Sequence, residues 1–145
     1  MSARKGPERM QKLIDGLRHW QEIERKAIDE CTAIMESTDN PLIRQVMEII
    51  RNDSVQHHRV QQFIIDTMTR TPVSLTPEQL GEIWDRIEAH DELERKTIEY
   101  ANELRDECPT MIQKMLLDYL LYDEQKHDKL LHELEKFKKG LYPYA

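Results

Sequence analysis

Cysteine, glycine, proline and long apolar runs are all scarce in this chain, and each scarcity removes a class of protein. The two cysteines, Cys31 and Cys108, stand alone with no C-x-x-C spacing. A zinc knuckle, a cysteine-ligated iron module and a disulfide framework are therefore excluded. Only 4 Gly and 6 Pro punctuate 145 residues, so the chain is well supplied with strong helix formers and poor in turns. No apolar run approaches the roughly 18 residues of a membrane helix, and the charged start MSARKGPERM lacks a signal-peptide apolar region. A cytoplasmic protein is expected. Positive charge is also short: the formal net charge is −7, which argues against nucleic acid or an anionic membrane surface as partner.

What is present is helix. A length of 145 residues suits one domain, large enough for a four-helix core. Stop, turn and restart chemistry falls in STDNP at 37–41, in TPVSLTPEQ at 71–79 and in ECPT at 107–110. In the second of these, Thr76 is a good N-cap, Pro77 takes the first helical position and Gln79 completes a capping box. Gly140 suits a C-cap, with LYPYA as a tail. The cuts leave four segments of about 30 residues, each roughly 45 Å long if helical. The reading is all-α: a single four-helix bundle domain over 1–145, made of hairpin 1 at about 7–70 and hairpin 2 at about 77–139.

One stretch departs from this plain pattern. In LLYDEQKHDKLL, residues 120–131, the apolar stripe Leu117, Leu120, Glu124, His127, Leu131, Leu134 carries a carboxylate and an imidazole where leucines belong. Burying an ionised carboxylate without a partner costs several kcal/mol, roughly, so such a helix must offer it a proton, a counter-charge or a metal. The other segments repeat the intrusion. Leu13, Leu17, Trp20, Glu24, Ala27, Cys31 and Ile34 form one stripe, and Ile83, Ile87, His90, Glu94, Thr97, Ala101 and Leu104 another. In the second segment Met47, Ile50, Ser54, His57, Gln61, Ile64 and Met68 place His57 inward with Asp53 beside it. Each intrusion lies about 14 to 18 residues from its hairpin turn, so all four are expected at one height in the bundle.

The halves also resemble each other. EIERKAID at 22–29 matches ELERKTIE at 92–99, an offset of 70 residues that carries Asp53 onto Asp123, His57 onto His127, Val60 onto Leu130 and Ile64 onto Leu134. Favourable i, i+4 pairs explain Glu22 with Lys26 and Glu92 with Lys96. They do not explain the middle glutamates. Glu24, Glu94, Glu124, His57 and His127, with Asp53, are expected to meet, and carboxylates converging in a low-dielectric core repel unless a divalent metal pair joins them. His90 is a candidate ligand on the same face, although a histidine bonded to a carboxylate reads the residue equally well.

On these residues the chain resembles the ferritin-like superfamily, and most of all its rubrerythrin-like members. The resemblance covers nearly the whole chain and rests on Glu24, Glu94 and E124-Q-K-H127, with His57. It implies a di-metal carboxylate site with two metal ions, iron before manganese or zinc, and Fe(II)-dependent oxidase, peroxidase or ferroxidase activity on dioxygen or peroxide. It implies no catalytic residues beyond the ligands. In D53-S-V-Q-H57 the chain departs from the family, with Ser54 at the place of a glutamate, so that Asp53 is the substitute ligand or the carboxylate is missing. Asp91 stands where rubrerythrins carry an additional acid. The alternatives are metal binding without turnover, in a sensor or carrier, and a structural or interaction bundle that has lost its metal. Ferritin-like folds join helices 2 and 3 by a long crossover, whereas Arg70 to Thr76 reach about 25 Å. A homodimer is expected from this, with exchanged hairpins or with an unswapped up-down-up-down bundle as the alternative.

Overall fold

The computed structural model of the protein describes residues 2–70 and 72–141 and is helical throughout, without strands among the described residues. The elements are α1 (Ser2–Ser37), α2 (Pro41–Thr69), α3 (Pro77–Asp106) and α4 (Met111–Leu141). They form two compact units, Met1–Val73 and Ser74–Ala145. In the first α1 packs on α2, and in the second α3 packs on α4. Each unit is a helical hairpin, called hairpin 1 and hairpin 2 below.

The helix starts follow from local chemistry. Asn40 caps α2, its side-chain oxygen accepting from the backbone N–H of Leu42 at 3.0 Å and of Ile43 at 3.1 Å, with Pro41 next in line. Thr76 and Gln79 close the capping box at the head of α3: the Gln79 N–H reaches the Thr76 hydroxyl at 3.2 Å, and the Thr76 N–H reaches Oε1 of Gln79 at 3.3 Å. Thr110 accepts from the N–H of Gln113 at 3.3 Å before α4. Two ends differ from expectation. Helix α1 begins at Ser2 and carries Pro7 within it, and α4 runs through Gly140 to Leu141 without stopping at that glycine. Of the expected tail, 142–145 lie outside the described residues.

Each hairpin closes along a seam with a period of about 3.5 residues, as two antiparallel helices in contact demand. In α1 the buried row is Ile14, Leu17, Gln21, Glu24 and Cys31. Helix α2 contributes Ser54, Gln61 and Ile65, α3 contributes Leu80, Trp84, Glu94 and Ala101, and α4 contributes Leu121. Ile14, Leu17 and Ile65 form one cluster with Met68 against it. The expected stripes are correct in part only. They share Leu17, Glu24 and Cys31 with the α1 seam and Glu94 and Ala101 with the α3 seam, but Leu13, Trp20, Ile34, Ile50, Ile83, Leu104 and Leu120 are exposed by 40% or more. The apolar sector of each helix is two rows wide, and the partner helix covers only one. Methionines are not uniformly core residues either, since Met111 is almost fully exposed.

Candidate metal centre

The two-row pattern sorts the candidate ligands. The glutamates lie on the covered row: Glu24 and Glu94 are buried and Glu124 is half-buried. The histidines lie on the open row. Side chains of His57, His90 and His127 are 56%, 62% and 46% exposed, so within each hairpin they lie outside the seam. They reach the glutamates from the rim of the hairpin.

In hairpin 2, Glu94, Glu124 and His127 converge, each offering a ligand atom within 4.8 Å of the others. Nδ1 of His127 lies 3.5 Å from Oε1 of Glu94 and 3.8 Å from Oε2 of Glu124. Nε2 of His90, one turn earlier on α3, lies 2.8 Å from the same Oε1 of Glu94. A hydrogen bond from Glu124 holds the Glu94 carboxyl below the usual range against the effect of burial, with His90 helping. The same hydrogen bond and burial push Glu124 up. The pair is thus pushed apart, Glu94 toward its ionised form and Glu124 toward its protonated one.

Hairpin 1 has the thinner set. Nδ1 of His57 lies 3.4 Å from Oε1 of Glu24, with Glu24 buried. Ser54 is buried at the register of Glu124 and adds a hydroxyl where hairpin 2 has a carboxylate. Asp53 is half-buried and joins no metal-ligating group among the described residues. The structure thus brings together Glu94, Glu124, His127 and His90 in one hairpin and Glu24 and His57 in the other, and leaves Asp53 aside.

A second group escaped the sequence reading. Asp91, Asp128 and His132 lie one turn further along hairpin 2, around the guanidinium of Arg95. Nη2 of Arg95 is 2.9 Å from Oδ2 of Asp91 and 3.2 Å from Nε2 of His132, and its Nε is 3.7 Å from Oδ1 of Asp128. Burial and the neighbouring Asp128 raise Asp91, while Arg95 opposes them. Nδ1 of His132 lies 3.0 Å from the Asp128 carbonyl one turn earlier on α4. Asp91 therefore serves this cluster and does not stand with Glu94 and Glu124. The readable signal was its place on the covered row, seven residues after Trp84.

The donor set of hairpin 2 suits a divalent first-row metal. Two carboxylates and one imidazole are the mixed oxygen and nitrogen ligation that such ions take. Oε2 of Glu94 is buried and has no hydrogen-bond partner, a vacancy that a cation would fill. No protein-family model, curated protein or solved structure matches this chain. Other side chains of the hairpins have plainer roles. Cys31 is a small buried residue, and Tyr100 and Tyr122 are exposed. Tyr119 hydrogen-bonds Asp123, which together with Lys126 more than offsets the burial that would raise that carboxyl. Among the described residues no helix is long and apolar enough to cross a membrane.

Proposed function

We propose that this is a metal-binding protein of ferritin-like, rubrerythrin-like type, holding two divalent ions, iron first, through Glu94, Glu124 and His127 and through Glu24 and His57 as the second donor set. The observation that carries the reading is the buried Glu94 carboxylate, whose Oε2 has no partner although Glu124 and His127 stand beside it. Burial and the hydrogen bond to Glu94 favour the protonated form of Glu124, and a metal ligand must be ionised, so affinity rises with pH. Two bound Fe(II) ions would supply the electrons for reducing dioxygen or peroxide, giving ferroxidase or peroxidase activity. The chain's own residues hold and orient the ions, and the half-exposed imidazoles leave the site open at the rim. Apolar rows left half-exposed in both hairpins suit a homodimer.

Ser54 favours a second reading, a carrier or sensor that binds metal without turnover, because the set of hairpin 1 lacks a carboxylate. Anaerobic Fe(II) loading followed by metal analysis and by absorbance after exposure to air or peroxide separates the two. Binding with a visible oxidation step supports the enzyme, and binding without one supports the carrier. Glu94→Ala and Glu124→Ala should each abolish binding in hairpin 2. Unchanged stoichiometry and affinity in both variants would sink the metal assignment altogether.

A further inference from the structure

Within hairpin 2, His90 is the group whose role the ligand set leaves open. It belongs to neither of the two convergent groups, yet it makes the shortest contact to Glu94, at 2.8 Å. At that distance the tautomer of His90 with its hydrogen on Nε2 donates to the carboxylate oxygen. That bond occupies Oε1 and leaves Oε2 as the free oxygen. A metal needs a carboxylate whose rotamer is already fixed, and a partner hydrogen-bonded to the far oxygen fixes it.

The repeat offers a control inside the same chain. At the offset of 70 residues that superposes the glutamates, His90 falls on Trp20, which is half-exposed. The indole N–H of Trp20 makes no hydrogen bond to Glu24 among the described residues, and Glu24 is met from the rim by His57 alone, at 3.4 Å. Both hairpins offer a buried glutamate, but only that of hairpin 2 is held by a histidine one turn earlier on its own helix.

We propose that His90 is a positioning residue and not a ligand: by bonding Oε1 of Glu94, the oxygen that also lies nearest His127, it fixes the carboxylate's rotamer and keeps Oε2 free for a cation, so that hairpin 2 takes up a divalent metal before hairpin 1 does. This rests on the metal reading above and adds an order of loading to it. Supporting groups of this kind are worth about 10- to 100-fold in metal affinity.

The test is a Co(II) titration of the full chain, followed by the visible d–d bands and by calorimetry, on wild type and on His90→Ala, His90→Gln, Trp20→His and Glu94→Ala. Wild type should bind in two steps, with Glu94→Ala losing the tighter one. His90→Ala should weaken that step about tenfold or more. His90→Gln, which restores an N–H donor one turn from Glu94, should recover most of the loss with the bands of the tight site unmoved. Trp20→His should tighten the weaker step. Because His90 is largely exposed, loss of fold does not cloud the two His90 variants. If His90→Gln loses as much as His90→Ala and the bands move, His90 is a ligand and the proposal is wrong. If Glu94→Ala abolishes the tight step while His90→Ala leaves it unchanged, the positioning role falls and the metal reading stands. If wild type binds no Co(II), the metal reading falls and takes the loading order with it.

Discussion

The two hairpins share a frame and differ in what they do with its polar positions. Residues 1–73 carry 11 basic and 11 acidic side chains, and 74–145 carry 10 and 17, so the whole formal charge of −7 belongs to the second half. The interior repeats that contrast. In hairpin 1, Nε2 of Gln21 donates to Oε1 of Gln62 at 3.0 Å and to the His58 carbonyl at 3.3 Å. In hairpin 2 the same registers hold Asp91, His132 and Asp128, gathered round Arg95. Two neutral amides and an imidazole take these positions in one half, so the fold does not require carboxylates there. Negative charge was placed in hairpin 2, beside the fuller ligand set. The difference separates scaffold from chemistry: what both halves keep is seam packing, and what only the second half adds is a pair of carboxylates, Asp91 and Asp128, one turn from its glutamates.

The comparison can be broken most forcefully at the cores. Leu80 in hairpin 2 and Ile65 in hairpin 1 are the most deeply buried aliphatic side chains, at 1% and 2% exposure. Replacing either by Ala should cost about 2–5 kcal/mol. Amide hydrogen exchange should show each loss in the hairpin that carries the substitution. If Leu80→Ala loosened α1 and α2 as much as α3 and α4, the division into two units would be wrong.

Ser54→Glu sharpens the contrast next, by giving hairpin 1 the carboxylate of hairpin 2. The metal-free variant should be less stable than wild type, because a second carboxylate then faces buried Glu24, and added Mn(II) or Zn(II) should raise its melting temperature by more than it raises that of wild type. An unchanged metal-induced shift would mean that hairpin 1 offers no usable donor set. The smallest effect concerns protons. Hydrogen bonding to Glu94 and burial raise Glu124, so the metal-free folded state holds a proton that the unfolded chain releases. Stability from that group is complete below the ordinary glutamate pKa and is lost as pH rises through the raised value. Glu94, held low by Glu124, acts with the opposite sign and loses its contribution as pH falls through the depressed value. Denaturation curves of metal-free wild type and Glu124→Gln should therefore converge at low pH and separate in favour of the variant as pH rises. A constant difference across that range would contradict the opposed shifts of the pair.

Much of this was legible in the sequence. Asn40 with Pro41, and Thr76 with Pro77 and Gln79, are local signals whose hydrogen bonds need nothing from the rest of the chain, and they mark the helix starts correctly. Glu24, Glu94 and Glu124 were recognisable because a charge interrupts an apolar row. What periodicity could not decide was which of two adjacent rows the partner helix covers, since Leu17, Glu24 and Cys31 belong to both. Hence the histidines were expected inside, while within each hairpin the structure sets them at the rim. Asp128 and His132 were missed, and Asp91 was placed with the metal ligands, for the same reason: only the pairing of α3 with α4 brings the three to Arg95.

Because α1 packs on α2 and the first unit ends at Val73, everything hairpin 1 needs for its own seam has been synthesised before α3 exists. Helical pairs with such local contacts form in microseconds to milliseconds, whereas a ribosome adding roughly 5–20 residues each second needs several seconds to deliver the other half. Throughout that interval the nascent hairpin already presents Leu13, Trp20, Ile34 and Ile50 to solvent on a finished surface. The open row of hairpin 1 thus meets water from the moment its own seam closes, an exposure that begins seconds before residues 74–145 are complete.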